Sequence, residues 1–269
     1  MDDDEGYLLE ALLEYPRILL NIIRSVRVRN KRAALEISSD GLRLISEEDR
    51  CIQAVAVVER QLFKQFAFRN DDNITFDISL DHLEQCLNLF GSTTSSYSTV
   101  KIVYPGRENS FVLFIDDGSI FSECELATFE SDDGVEVGTL GEVVTRVMFN
   151  SDLLKETWAE MDQTASVLTL TVAGRKIALS TATMKIEIGE RSDAVVLFES
   201  KADQDLKYNM KILRATQKAL NLSYKSLLRI AENGTMAMQF LLKTEVGSDC
   251  CVEFFCKTLD ILEDDSAML

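Results

Sequence analysis

Two stretches of the sequence align residue for residue: Leu80-Asp81-His82-Leu83-Glu84-Gln85-Cys86-Leu87-Asn88-Leu89 and Leu213-Arg214-Ala215-Thr216-Gln217-Lys218-Ala219-Leu220-Asn221-Leu222. Their offset is 213 − 80 = 133 residues. Each stretch follows an alternating, strand-like pattern of apolar residues, at Ile74, Phe76 and Ile78 before the first and at Leu206, Tyr208, Met210 and Ile212 before the second. Two strand–helix units in one order predict an internal repeat.

A second pair of helices repeats at nearly the same distance. Pro16 marks the start of a predicted helix over residues 15–26, because proline is tolerated in the first turn. Its apolar stripe recurs at an offset of 153 − 18 = 135, with Ile18, Leu19, Ile22, Ile23 and Val26 matched by Leu153, Leu154, Thr157, Trp158 and Met161. Chance similarity of amphipathic helices is the alternative to two duplicated domains of about 130 residues.

The remaining segments favour strands, since they are rich in Val, Ile, Leu, Phe and Thr with partial alternation. The predicted class is therefore α+β, with two tandem domains in which antiparallel sheets are covered by two helices each. Residues 129–141, which hold Asp132, Asp133 and Gly134, form the predicted connector. The expected domains are residues 1–128 and 142–269.

The chain is acidic, with a net charge of −17, but its bases are clustered. Residues 15–32 hold six bases and no acid, and residues 201–229 hold seven bases and two acids. These islands contribute +6 and +5, so the rest of the chain carries −17 − 11 = −28. An acidic body repels nucleic acid in general, whereas a local basic strip can bind it.

The bases of the first helix lie opposite its apolar stripe. At 100° per residue, Arg17 and Arg24 point away from the core, and Arg27 joins them if the helix continues. A row of arginines on an exposed helix can contact phosphates without reading bases. An ordinary solvated face is the alternative.

Few residues are available for catalysis. The chain has one histidine, His82, and its six cysteines form no C-x-x-C pair, so a zinc site or a histidine-based triad has almost no ligands. The acidic pairs, such as Asp71-Asp72 and Asp116-Asp117, look like turns. The sequence therefore predicts no catalytic residue, no bound metal and no cofactor, and the cysteines are read as buried, reduced thiols.

Several motifs resemble a known family. They are Cys51-Ile52-Gln53-Ala54, Phe63-Lys64-Gln65-Phe66, Ile74-Thr75-Phe76, Cys86-Leu87-Asn88-Leu89-Phe90-Gly91-Ser92 and Leu113-Phe114-Ile115-Asp116-Asp117-Gly118. This pattern is similar to the eukaryotic sliding clamps, the relatives of proliferating cell nuclear antigen, and within them to the Rad-one branch of the heterotrimeric DNA-damage checkpoint clamp. The resemblance spans most of residues 7–262.

The resemblance implies which helix faces line the hole of a ring. The expected DNA-facing residues are Arg17, Arg24, Arg27, Arg214 and Lys218. The second and third helices carry acids instead, at Asp81, Asp152 and Glu156, so DNA contact is expected to be uneven. Lys207 and Lys211 are expected on a strand.

The resemblance also implies that edge strands close the ring. Residues 119–128 and 183–190 are the expected edges, with Ser119, Phe121, Glu123, Glu125, Met184, Ile186 and Ile188 at the subunit interface. In relatives, client peptides dock beside the connector. Here Val135, Val137 and Leu140 are the expected lining of that groove.

The function that follows from the resemblance is non-enzymatic and nuclear: a clamp subunit that encircles DNA and serves as a platform for checkpoint and repair factors. The expected partners are two other clamp subunits, of the Rad-nine and Hus-one types, a clamp-loader complex, and double-stranded DNA without sequence specificity. The alternatives are a homotrimeric replication clamp and a metal-dependent DNA exonuclease.

Overall fold

The computed structural model describes residues 6–28, 31–89, 98–106, 109–131, 137–162, 164–244, 247 and 249–259. The chain divides into two compact units, one of residues 1–46, 55–136 and 244–250 and one of residues 47–54, 137–243 and 251–269. The main division, between residues 136 and 137, falls within the predicted connector. The domain boundaries at residues 128 and 142 stay a prediction.

The first unit contains eleven named elements within the described residues. They are β1 (Leu9–Leu13), α1 (Pro16–Val26), β2 (Arg32–Ser38), β3 (Gly41–Glu48), β4 (Ile52–Glu59), β5 (Gln65–Phe68), β6 (Ile74–Ser79), α2 (Leu80–Leu87), β7 (Thr99–Tyr104), β8 (Phe111–Asp116) and β9 (Phe121–Leu126), with one 3-10 turn at Arg60–Leu62. Its strands lie in the orders β5-β1-β7-β8-β9 and β4-β3-β2-β6.

The second unit repeats this order of helices and strands element by element. Its described elements are β10 (Val143–Asn150), α3 (Ser151–Glu160), β11 (Val167–Ala173), β12 (Lys176–Ser180), β13 (Lys185–Gly189), β14 (Val195–Ser200), β15 (Gln204–Asn209), α4 (Lys211–Leu222), β16 (Ser223–Ala231), β17 (Met236–Lys243) and β18 (Asp249–Cys256). Its strands lie in the orders β14-β10-β16-β17-β18 and β13-β12-β11-β15. Neighbouring strands run antiparallel, as β1 does with β7 and β10 with β16.

The predicted α+β class and its internal duplication are therefore confirmed. The aligned stretches form α2 and α4, and the helices with the repeated stripe form α1 and α3. In each unit the two helices contact one another. In α1 the stripe Ile18, Leu19, Ile22, Ile23 and Val26 is at most 7% exposed, since these side chains all face the sheet layer at helical spacing.

Buried hydrogen bonds connect separate elements within the second unit. The indole Nε1 of Trp158 on α3 donates to Thr216 Oγ1 on α4 at 3.2 Å. The fully buried Tyr208 donates its hydroxyl to the carbonyl of Gly234 at 2.7 Å. These bonds satisfy polar groups that would otherwise be costly to bury.

One local prediction was wrong. The alternation at Leu206, Tyr208, Met210 and Ile212 predicted a strand that included Lys211, but β15 ends at Asn209 and Lys211 is the first residue of α4. The Asn209 side chain accepts a hydrogen bond from the backbone N–H of Lys211 at 3.0 Å, which supports the start of the helix. Met210 and Ile212 are buried in the structure, and a strand over these residues would bury them too. Their apolarity therefore does not distinguish strand from helix.

The thiol prediction holds in part. All six cysteines are free, but only Cys51, Cys250 and Cys256 are buried, and Cys86, Cys124 and Cys251 are half-buried. No helix in the described part of the chain is long and apolar enough to cross a membrane.

Candidate nucleic-acid interface and assembly edges

The first turn of α1 presents a free cation. Arg17 is exposed, whereas its neighbours Pro16 and Ile18 are buried. Within the described residues Arg17 has no ion-pair partner. Its guanidinium is therefore available to a phosphate group, as the helical-wheel argument expected.

The other two arginines of this row are engaged by α2. Arg24 Nε donates to Glu84 Oε1 at 2.8 Å, and Arg27 Nη1 donates to Glu84 Oε2 at 2.9 Å. Arg27 also forms an ion pair with Asp81. Both arginines lie on the side of α1 that faces α2, and their side chains are 37% and 32% exposed. The helical wheel predicts that both arginines lie on the open face of α1, and the sequence alone does not indicate their pairing with Glu84.

The charge of Glu84 is stabilised by these contacts. Burial alone would raise the pKa of its carboxyl, but the hydrogen bonds and positive charges of Arg24 and Arg27 outweigh burial and hold the pKa below its ordinary value. Glu84 is therefore ionised at neutral pH, and the four side chains, two arginines and two carboxylates, form a cluster with no net charge. We call Arg24, Arg27, Asp81 and Glu84 the α1–α2 ion-pair cluster.

Helix α4 presents two cations without such partners. Arg214 and Lys218 are exposed and lie one turn apart, while Leu213, Thr216 and Ala219 pack into the unit. Neither base has an ion-pair partner in the part of the chain that the structure describes. Spacing of i and i+4 puts both on the same face of the helix.

Helix α3 carries acidic residues on its exposed face, as the sequence predicted. Asp152 and Glu156 are exposed, and the nearest base, Lys155, donates to Asp152 Oδ1 at 3.0 Å. On α2, Gln85 and Asn88 are exposed, but Asp81 is partly covered by Arg27. The four helices thus differ strongly in the charge that they offer.

Strand β9 ends one sheet of the first unit, where the sequence predicted an edge. Phe121 is 65% exposed and stacks on Phe114, with ring centroids 5.9 Å apart. Glu123 and Glu125 are exposed on the same face. Ser119 precedes the strand, and its backbone N–H donates to Asp117 Oδ1 at 2.9 Å in the β8–β9 turn.

Strand β13 ends a sheet of the second unit, and it too was predicted as an edge. Met184 and Ile186 are half-buried, but Ile188 is only 5% exposed and packs into its own unit. Its side chain therefore offers no surface to a neighbouring subunit. The exposed side chains of this edge are charged and were missed: Lys185 pairs with Glu187 at 2.7 Å.

The connector is anchored where it enters the second unit. The backbone N–H of Gly138 donates to Gln53 Oε1 at 2.6 Å, and a Cβ at this position would lie 2.7 Å from Cγ of Phe255. Val137 and Leu140 beside it are half-buried. The third predicted groove residue, Val135, lies outside the described residues.

The described residues were also compared with the requirements of a metal site. Within the described residues, no group of three or more His, Cys, Asp or Glu side chains is placed to hold a metal ion. Each unit offers two kinds of binding surface: exposed cations, on α1 in the first unit and on α4 in the second, and a strand that ends a sheet, β9 in the first and β13 in the second.

Comparison with known proteins places the chain among repair proteins. A family model described as "Repair protein Rad1/Rec1/Rad17" matches residues 8–242. The "Cell cycle checkpoint protein RAD1" of Mus musculus is 28% identical over 264 residues, which cover 95% of this chain and 94% of the mouse protein. The "DNA damage checkpoint control protein rad1" of Schizosaccharomyces pombe is 26% identical over 265 residues, covering 88% and 82%.

A solved structure supports the fold independently. The proliferating cellular nuclear antigen of Entamoeba histolytica superposes with a TM-score of 0.73, over 94% of this chain and 99% of that one, at 13% sequence identity. At this identity the likeness establishes the clamp fold of the chain.

Proposed function

Because the chain belongs to the Rad1/Rec1/Rad17 family of repair proteins, we propose that it is one subunit of a ring-shaped, heterotrimeric sliding clamp that encircles DNA. The clamp serves as a platform for DNA-damage checkpoint signalling and repair factors. The checkpoint names of the mouse and fission-yeast relatives and the clamp fold support this function.

Among the strands that end a sheet, one in each unit carries the proposal. β9 ends a sheet of the first unit and β13 ends a sheet of the second. A strand edge with unpaired backbone groups recruits another strand. Two such edges on one chain allow head-to-tail contacts with two neighbours, which is what closure of a ring requires.

The partners follow from the same proposal. They are two other clamp subunits, of the Rad-nine and Hus-one types, a clamp-loader complex, and duplex DNA, and the clamp acts in the nucleus. It is a scaffold and has no catalytic role. A closed ring is retained on DNA by topology, so weak phosphate contacts without base readout are sufficient.

The connector supplies a second binding surface in this proposal. Residues 129–141 join domains 1–128 and 142–269, and client peptides dock in a groove flanked by Val135, Val137 and Leu140. The close fit of Gly138 against Phe255 holds the described end of this segment in place.

The DNA contacts can be tested on α4. We expect Arg214→Gln combined with Lys218→Gln to weaken binding of the assembled clamp to a fluorescent duplex. Each phosphate contact contributes about 0.9 to the slope of log affinity against log salt, so the slope should flatten by about 1.8. The measurement is fluorescence anisotropy between about 50 and 200 mM salt.

The matched control removes an arginine and a lysine elsewhere in the second unit. Arg191→Gln combined with Lys207→Gln changes two exposed residues, one in the turn after β13 and one on β15. This pair should leave the slope within the error of the wild-type value. If both double variants flatten the slope equally, net charge and not the α4 face determines binding.

A further inference from the structure

The α1–α2 ion-pair cluster removes two of the five predicted cations from the DNA-facing set. Glu84 uses both carboxylate oxygens, one for Arg24 and one for Arg27. The carboxylates are more covered than the arginines, with Glu84 22% and Asp81 27% exposed. This is a shared, partly buried arrangement and not a pair of mobile surface residues.

We propose that Asp81 and Glu84 neutralise Arg24 and Arg27 and thereby set how weakly the clamp holds DNA. This inference rests on the proposed function. The two acids are determinants of DNA affinity that contact no DNA themselves. Arg17, Arg214 and Lys218 then carry the phosphate contacts of this subunit.

The physical reason is competition for the same hydrogen-bond donors. Guanidinium groups bind carboxylates and phosphates with similar geometry. A phosphate that takes over the donors held by Glu84 leaves this partly covered charge without a partner, which is costly. A neutralised arginine also attracts fewer phosphates at a distance, so fewer counterions are released on binding.

The second unit has the same helix with other residues in place of these acids. At the offset of 133, Asp81 corresponds to Arg214 and Glu84 corresponds to Gln217. Helix α4 therefore keeps the same buried stripe as α2 with a base and a neutral residue at the two positions. The acids of α2 therefore lie outside its buried apolar stripe and contact the arginines of α1 instead.

Weak DNA affinity is an advantage for a protein that slides along the duplex. Because retention comes from ring topology, strong phosphate contacts would only slow movement along the duplex. With Arg24 and Arg27 occupied, Arg17 is the one arginine of this row without an ion-pair partner among the described residues, while α4 offers Arg214 and Lys218.

The test uses the full chain in the assembly that it forms with its co-purified partner subunits, bound to a fluorescent duplex. Glu84→Gln, and Asp81→Asn with Glu84→Gln, should bind more tightly and steepen the slope of log affinity against log salt by about 0.9 to 1.8. The quadruple variant Arg24→Gln, Arg27→Gln, Asp81→Asn and Glu84→Gln removes the cluster without changing the net charge. It should keep the wild-type slope, because these arginines contribute no phosphate contact.

A charge-matched control separates this effect from a general gain of positive charge. Glu36 on β2 accepts from Arg43 Nη1 on β3 at 2.8 Å, so Glu36→Gln also frees one arginine and adds the same charge. It lies on a sheet, and its slope should equal that of the wild type. Equal steepening by Glu36→Gln and Glu84→Gln would overturn the proposal.

A purely structural role for the cluster gives a different result. In that case Glu84→Gln lowers the unfolding temperature and leaves DNA affinity unchanged or weaker, which contradicts the proposal. If Glu84→Gln does not fold, the charge-neutral quadruple variant decides: a slope that is flatter by about 1.8 than that of the wild type shows that Arg24 and Arg27 do contact phosphate.

Different results would contradict the proposed DNA contact and the role of the two acids. Wild-type binding without salt dependence, or no flattening in the α4 double variant, contradicts the proposed DNA contact. If wild-type binding depends on salt and the α4 double variant flattens the slope, an unchanged slope in Glu84→Gln contradicts only the role assigned to the acids.

Discussion

We expect Glu123→Pro to leave the chain folded and to weaken its assembly with partner subunits strongly. In the β8–β9 hairpin the backbone N–H of Asp117 donates to the carbonyl of Ile120 at 3.3 Å. Antiparallel partners alternate between hydrogen-bonded and non-hydrogen-bonded pairs. Counting from Asp117 and Ile120 along the register, Phe114 and Glu123 form a non-hydrogen-bonded pair.

The backbone N–H of Glu123 therefore points away from β8, toward the open edge. Proline at this position removes that outward donor and places its ring where a partner strand would dock, while no hydrogen bond to β8 is lost. A partner carbonyl left without its donor costs about 1 to 3 kcal/mol, which weakens association about five- to a hundredfold. Size-exclusion chromatography of the chain mixed with its partner subunits measures this loss.

The control is Glu123→Ala, which removes the side chain but keeps the backbone donor. It should assemble as the wild type does, and both variants should have the wild-type circular dichroism spectrum. Assembly of a folded Glu123→Pro variant at wild-type strength would rule out β9 as a pairing edge. Loss of assembly in both variants would assign the contact to the side chain instead.

The largest effect on stability is expected at Gly41. This residue follows the β2–β3 turn and has a φ of +137°, a conformation that residues other than glycine rarely adopt. The backbone N–H of Arg60 donates to the carbonyl of Asp40 at 2.7 Å, which draws the turn against the end of β4. A Cβ on Gly41 would then lie 2.2 Å from the carbonyl oxygen of Val58 and 2.9 Å from the backbone nitrogen of Arg60.

Both obstacles are backbone atoms, so no side chain can rotate out of the way. We expect Gly41→Ala to lower the free energy of unfolding by about 3 to 5 kcal/mol, from backbone strain and overpacking together. Equilibrium urea unfolding followed by circular dichroism measures the change as a shift of the unfolding midpoint to lower urea concentration.

Gly118 in the β8–β9 turn provides the matched comparison. Its φ is +86°, but a Cβ there meets no atom within 4 Å. Gly118→Ala should therefore cost only the conformational term, about 1 kcal/mol. If the two alanine variants unfold at the same urea concentration, the close approach of Gly41 to β4 is not present in solution.

The parts of the fold that sequence could predict are those set by local spacing. The α1 stripe and Pro16 fix a helix and its buried face, and the aligned stretches at residues 80 and 213 reveal the duplication. Edge strands at β9 and β13 followed from a family resemblance, since nothing in a short alternating segment states which strand lies at the end of a sheet.

The candidate site was less accessible to sequence reasoning because side-chain pairing is long-range. Arg24 and Glu84 are 60 residues apart, and helical spacing places Arg24 opposite the core without saying that α2 lies beside it. The same limit applies to Ile188, whose burial depends on the packing of its unit. The boundary at Lys211 failed for a local reason, since apolar residues two apart fit the end of a strand and the start of a helix.

The most direct test of the account is the native mass of the complex purified through a tag on this chain. We predict one copy of the 30.2 kDa chain together with one copy each of two different clamp-fold polypeptides. A complex of three copies of this chain, or the chain alone at concentrations that saturate assembly, would contradict the heterotrimeric clamp.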